Sequence, residues 1–297
     1  MAIERWPALP LSQWRDTKDT LHMWTQVVGK LTLPTTPLAN HWWNVAFHYT
    51  ARGLATQPMD AGQGRSLVAE LDFVSHELLL RSSDGSRERV RLEPKTVAQL
   101  HAEVVAALER MAIAIPMWTT PVEVENAIAF ERDTVHRSYD PQWAAAFWRA
   151  LQAMRPVFEE FRCRFTGKCS PLHFFWGSFD LALTRFSGNR APDNPQADAV
   201  MREAYSHEVI SHGFWPGGAG FDDAAFYAYA APEPEGLATA KVRPEAARYD
   251  NAMNVFVLPY EAVRAAASPE AELMSFLETT YREAATLARW DRSRLER

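Results

Sequence analysis

Cysteine is scarce, with two residues in 297, Cys163 and Cys169. A disulfide-stapled scaffold is thereby excluded, and two reduced thiols are the expectation. Two cysteines six apart with no second pair also fall short of a structural zinc site. No stretch approaches 18 uncharged apolar residues, which leaves no candidate transmembrane span. The opening MAIERWPALPLSQWRD breaks any apolar leader with Glu4, Arg5, Arg15 and Asp16, so a cytosolic protein is expected. Positive charge is in deficit: 31 Lys and Arg face 37 Asp and Glu, with no run of five basic residues. Nucleic acid is therefore not an expected partner, and with no span neither is a membrane. Whether a protein partner exists is open.

What the chain has in plenty is aromatic rings, 11 Trp, 16 Phe and 8 Tyr. The balance of 47% apolar and 23% charged residues is that of a folded globular protein. The length allows two domains or one large one. Leu11, Trp14, Leu21, Trp24 and Val28 recur at helical spacing and predict a helix over 11–28. The aromatic and β-branched stretch NHWWNVAFHYTARGL reads as a buried strand. Residues 67–81 and 87–92 flank Ser83-Asp84-Gly85 as the arms of a hairpin. Val97, Leu100, Val104, Leu108 and Met111 predict a second helix, and a further strand is expected near 117–125.

In the second half, Asp140-Pro141 opens a long helix whose apolar stripe runs from Trp143 to Phe165, with Pro156 expected to kink or split it. An aromatic strand follows in SPLHFFWGSFDLALTRFSG. Further strands are expected at 203–215, 224–231 and 252–258, and a last helix starts at Ser268-Pro269-Glu270. Both halves run helix, aromatic strand, further strands, helix, and His41-Trp42-Trp43 occupies the place of His173-Phe174-Phe175. The expected fold is α+β: two similar lobes, 1–134 and 135–297, each an antiparallel sheet flanked by helices, a possible duplication folding as one continuous unit.

Chemistry-bearing residues concentrate in the aromatic segments. Asp180 falls on the more polar face of its strand, with Arg185 or Arg190 as candidate ion-pair partners. In AYSHEVISHGFWPGG, His207 and His212 are five apart, which places them on one face of neither a helix nor a strand, so no metal site is assigned. His207 alone is a candidate acid/base, oriented by Asp180; the plain alternative is a core histidine. Ser178, Ser206 and Ser211 lack a Gly-x-Ser-x-Gly elbow, and Cys169 has only Lys168 nearby to lower its pKa. Gly217-Gly218-Ala219-Gly220 lacks the Lys-Ser/Thr of a phosphate-binding loop and reads as a turn. The aromatic runs either line a pocket or fill a core.

The strings WPALPLSQWRDTKDTLHMWTQVVGK, NHWWNV, GKCSPLHFFWGSFDLALTRFSG and AYSHEVISHGFWPGG, in this order, resemble the bacterial family catalogued as domain of unknown function 5996. The likeness runs from Trp6 to about Trp290. It implies a bacterial, single-polypeptide cytosolic protein, agrees with the reading of one continuous two-lobed unit, and assigns no activity, cofactor or site residue.

The expectation from the residues is a small-molecule pocket lined by Trp43, His173, Trp176 and Trp215. If the protein is an enzyme, a cofactor-independent hydrolase or proton-transfer catalyst is expected. His207 would be its acid/base, Asp180 the orienter, and Arg185 the group that holds an anionic moiety. A non-catalytic ligand-sensing or interaction protein is the alternative, and a histidine metalloenzyme the third reading.

Overall fold

The computed structural model describes residues 4–218 and 222–297. It is an α+β protein with two antiparallel sheets, and its residues sort into two compact units. The N-terminal unit holds 12–148 and 173–179, and the C-terminal unit holds 4–11, 149–172 and 180–297. Of the 217–220 turn, Ala219 and Gly220 lie outside the described residues.

The N-terminal unit begins within helix α1 (Leu11–Gly29), from Ser12 on; the helix buries Trp14, Leu21, Trp24 and Val28, the spacing that predicted it. Its sheet is built from β1 (His48–Tyr49), β2 (Gly53–Ala55), β3 (Met59–Asp60), β4 (Ser66–Asp72), β5 (Glu77–Ser82) and β6 (Arg87–Arg91). The order is β1-β2-β4-β5-β6, with β3 also on β4. Helix α2 (Val97–Arg110) starts at a capping box, the Thr96 side chain taking the Gln99 N–H while Gln99 takes that of Thr96, which satisfies two otherwise orphaned donors.

Three strand expectations are corrected here. The arm 67–81 is two strands, because Asp72 Oδ1 accepts from the N–H groups of Val74 and Ser75 at 2.8 and 2.9 Å and turns the chain. The NHWWNV stretch is a turn, with His41 and Trp42 at positive φ, and extension begins only at Phe47 and His48. No strand forms at 117–125, where Pro116 and Pro121 interrupt the chain and Glu123 takes a positive φ.

Helix α3 (Pro141–Cys163) is shared: 141–148 belong to the N-terminal unit and 149–163 to the C-terminal one. It continues through Pro156 as one helix, not split. Strand β7 (His173–Phe175) belongs to the N-terminal unit, where Phe174 bridges to Phe47.

The C-terminal unit contains β8 (Asp180–Arg190), α4 (Ala199–Ala204), β9 (His207–Trp215), β10 (Ala225–Ala231), β11 (Arg248–Asp250), β12 (Val255–Pro259), α5 (Tyr260–Arg264), α6 (Pro269–Leu287) and α7 (Arg292–Leu295). Its strands lie in the order β8-β9-β10-β12-β11. The strand expected from 203 begins only at His207, since Asp198 caps α4 by accepting from Met201 N–H. Register pairs Leu181 with Phe214, Leu183 with His212 and Arg185 with Ile210, so these six residues share one sheet face. The other face carries Ala182, Gly213 and Tyr227 in line, and Thr184 beside Ser211.

Candidate functional site

On the first of these faces, Arg185 is 2% exposed. Its guanidinium carbon lies 3.4 Å from the centroid of Phe161 and 4.3 Å from that of Tyr281, with Phe165 at 5.0 Å. One terminal nitrogen donates to the Phe161 carbonyl, and Nε is buried with no hydrogen-bond partner among the described residues. Among the described residues no carboxylate forms an ion pair with it; the arginine pairs are made elsewhere. Burial pulls its pKa down to about 10, opposed by Cys169, Tyr281 and Glu296, so it stays cationic at neutral pH.

Arg185 lines a cavity of about 320 Å³ whose wall also includes Phe161, Tyr281, Glu278, Glu296 and four further arginines, Arg164, Arg282, Arg292 and Arg297. Five arginines thus face two glutamates. The wall is pinned by Thr166 N–H donating to the Leu295 carbonyl at 2.7 Å and Arg297 N–H to that of Arg164 at 3.1 Å. Arg292 takes both oxygens of Glu296, at 2.6 and 3.0 Å. Burial pushes the Glu296 carboxyl up, but Arg292 and Tyr281 outweigh it and hold the pKa below the ordinary value. Arg164 is matched by Glu160 and Glu278. Arg185 is a buried cation of this wall that makes no ion pair among the described residues.

Behind the cavity, His212 lies edge-on to Phe161 at 4.9 Å, with Nε2 3.0 Å from Thr280 Oγ1. Burial first, and Arg185 second, drive its pKa well below the ordinary value, so it is neutral. Cys169 bridges to Arg185 through the backbone. Burial raises its thiol to about 11, against the pull of Arg185 and Arg162. That thiol is protonated at neutral pH and is no nucleophile there.

Asp180 lies on the opposite face. Its partner is neither Arg185 nor Arg190 but Tyr227, whose Oη donates to Asp180 Oδ2 at 2.5 Å. Tyr227 stands on β10 and Asp180 on β8, so the phenol passes over β9 at Gly213. Trp215 packs on Tyr227 with ring centroids 4.0 Å apart. Burial, and then the Asp180 charge, push the Tyr227 phenol well above its ordinary pKa.

The expected pairing of His207 with Asp180 is also corrected. Register places His207 opposite Arg190 at one end of the β8–β9 ladder, while Leu181 pairs with Phe214 at the other. The two side chains are therefore separated by nearly the whole of β9, on the order of 25 Å. His207 instead has Ser206 Oγ 3.1 Å from its Nδ1. The strand pleat sends His207 and His212 to opposite faces. Among the described residues no group of three His, Cys, Asp or Glu is placed to hold a metal.

Trp43, His173 and Trp176 fall in the N-terminal unit. Trp43 meets His173 edge-on at 5.9 Å, and His173 in turn meets His48 at 5.2 Å and Phe175 at 5.7 Å. Trp176 is anchored by its indole N–H on the Val45 carbonyl at 2.8 Å and packs on the bare backbone of Gly29, where an added Cβ would be 2.3 Å from the ring.

An α+β protein with an arginine-walled cavity in its C-terminal unit is the class that this geometry defines. The chain belongs to DUF5996, a family of unknown function, whose sequence model matches residues 6–297. No curated protein and no solved structure matches it. Among the described residues no helix is long and apolar enough to cross a membrane.

Proposed function

We propose that the protein binds a small organic anion, a carboxylate or phosphate ester on a planar body, in the cavity at Arg185. The observation that carries this reading is a buried guanidinium that makes no ion pair with a carboxylate among the described residues, at the wall of a 320 Å³ space. A buried cation is costly unless an anion and hydrogen bonds compensate it, and a planar guanidinium fork suits both oxyanions. The rings of Phe161 and Tyr281 supply apolar wall, and Arg282, whose side chain is half-exposed, adds a further cation to it. The volume is at the small end of ligand sites. Binding without catalysis is the version supported best, because the acid/base pair read from the sequence is split along β9.

The test is calorimetric titration with benzoate and with phenyl phosphate at low salt. The wild-type protein is expected to bind at least one of them. Arg185→Met should weaken that binding at least ~100-fold, in line with the cost of removing one partner of a desolvated charge pair. Arg282→Gln, nearer solvent, should weaken it less and reduce its salt dependence. Failure of the wild type to bind either probe, or an unchanged Kd in Arg185→Met, would overturn the proposal. If Arg185→Met does not fold, Arg282→Gln decides alone: an affinity and salt dependence identical to wild type count against the site.

A further inference from the structure

The chain has only five lysines, Lys18, Lys30, Lys95, Lys168 and Lys241, and one of them has an unusual setting. Lys30 follows directly on α1 in a 3-10 turn, is 1% exposed, and its Nζ is buried with no hydrogen-bond partner among the described residues. By contrast, Lys18 pairs with Asp19 at 2.8 Å and Lys95 with Glu103 at 2.7 Å. The surroundings of Lys30 Nζ are aromatic: the centroid of Trp118 is 4.0 Å away and that of Trp176 is 5.9 Å away. Trp118 is itself 62% exposed and sits in the strand-free stretch that follows α2. The amine is therefore one indole thickness from solvent, beneath a ring on a loop.

We propose that Lys30 is a carbonyl-capturing lysine, which forms an imine with a small aldehyde once the Trp118 ring swings aside. The amine lone pair attacks the carbonyl carbon and forms a C–N bond. The resulting carbinolamine then loses the carbonyl oxygen as water to leave C=N, with no redox step and no co-reactant. Protonated at nitrogen, the imine carries the same single charge as the lysine, so the Trp118 face that receives the ammonium also receives the product. Burial lowers the Lys30 pKa to about 8, which leaves a substantial neutral fraction at physiological pH, as carbonyl chemistry on lysine requires. This site lies wholly in the N-terminal unit and does not depend on the arginine cavity.

The experiment treats the intact protein with propanal and cyanoborohydride at pH 7 and maps the modified lysines by peptide mass spectrometry. Lys30 is expected to be alkylated at least ~10-fold faster than exposed Lys241, because a pKa lowered by burial enlarges the neutral fraction. That preference should shrink as the pH is raised well above 8, because the neutral fraction of Lys30 can then grow no further. Lys30→Met should lose the fast site and leave the slow ones. If Lys241 reacts as fast as Lys30 at pH 7, or Lys30 reacts only in urea, the proposal is wrong. The wild-type map alone decides this, even if Lys30→Met fails to fold.

Discussion

Gly213→Ala is expected to destabilise the C-terminal unit by about 3 kcal/mol or more, at or above the upper end of ordinary overpacking. A Cβ at 213 would lie 2.1 Å from the Leu181 carbonyl oxygen and 2.3 Å from the Tyr227 ring. The first of these is backbone of the neighbouring strand and cannot be relieved by a rotamer change, so β8 and β9 must separate locally and weaken their ladder. The second is the phenol that crosses β9 to reach Asp180. Removing its path forces Tyr227 off a buried carboxylate, and losing a hydrogen bond to a buried charge costs about 1.5–3 kcal/mol. Urea unfolding of the wild type and the variant measures the loss. The near-ultraviolet circular dichroism should change with it, because Trp215 packs on the same ring. A loss under about 1 kcal/mol would mean that β9 does not need a bare backbone at this position.

Stability should also fall between pH 7.5 and 5, before ordinary carboxylates titrate. Burial lowers the His22 pKa from 6.5 to about 4, against the opposing hydrogen bond with Gly177. His22 Nε2 lies 2.8 Å from that carbonyl, and since a carbonyl only accepts, this nitrogen carries the proton of a neutral ring. Between pH 6.5 and 4 the unfolded chain binds a proton at His22 that the native state refuses. Stability therefore rises with pH through this window and is lost as pH falls. From His22 alone the loss at pH 5 is about 2 kcal/mol. His212 acts in the same sense, its pKa driven well down by burial, and His48, His76 and His101 are lowered as well. Urea midpoints at the two pH values test the sum. In His22→Gln, whose amide can still donate to Gly177, the fall should be smaller by roughly the His22 share. A wild-type midpoint that does not move would contradict the buried neutral histidines.

The helices were legible because apolar spacing and capping are properties of the chain itself: α1 and α2 fall where Trp14 to Val28 and Val97 to Leu108 put them, and α6 starts at Pro269, after Ser268. Strand ends were less so. Phe73 and Val74 look like continuing strand, and only the Asp72 carboxylate, which takes two backbone N–H groups, turns the chain between β4 and β5. At His41-Trp42-Trp43 aromatic content suggests extension, and left-handed backbone at two of the three decides otherwise.

For the candidate site, Arg185 could be singled out as a residue but its surroundings could not. Phe161 comes from α3, Tyr281 and Arg282 from α6, and Arg292, Glu296 and Arg297 from the segment beyond it. Nothing in the spacing of the aromatic strand shows that these will meet. The Asp180–Tyr227 bond spans two strand pairings, so it depends on the registers of both β8–β9 and β9–β10. The alternation Phe226-Tyr227-Ala228-Tyr229 was a signal that both phenols share a face, but not which carboxylate they would find.

The most direct measurement of the central claim is the Arg185 Nε–H resonance in ¹⁵N spectra, assigned by its loss in Arg185→Lys, during titration with the probe that the wild type binds. Nε is buried with no hydrogen-bond partner among the described residues. If an oxyanion docks on this guanidinium, the resonance should shift progressively and saturate with the calorimetric Kd, ahead of the other arginine Nε–H signals. A probe that binds while the Arg185 signal stays fixed would place the ligand elsewhere and remove Arg185 from the site.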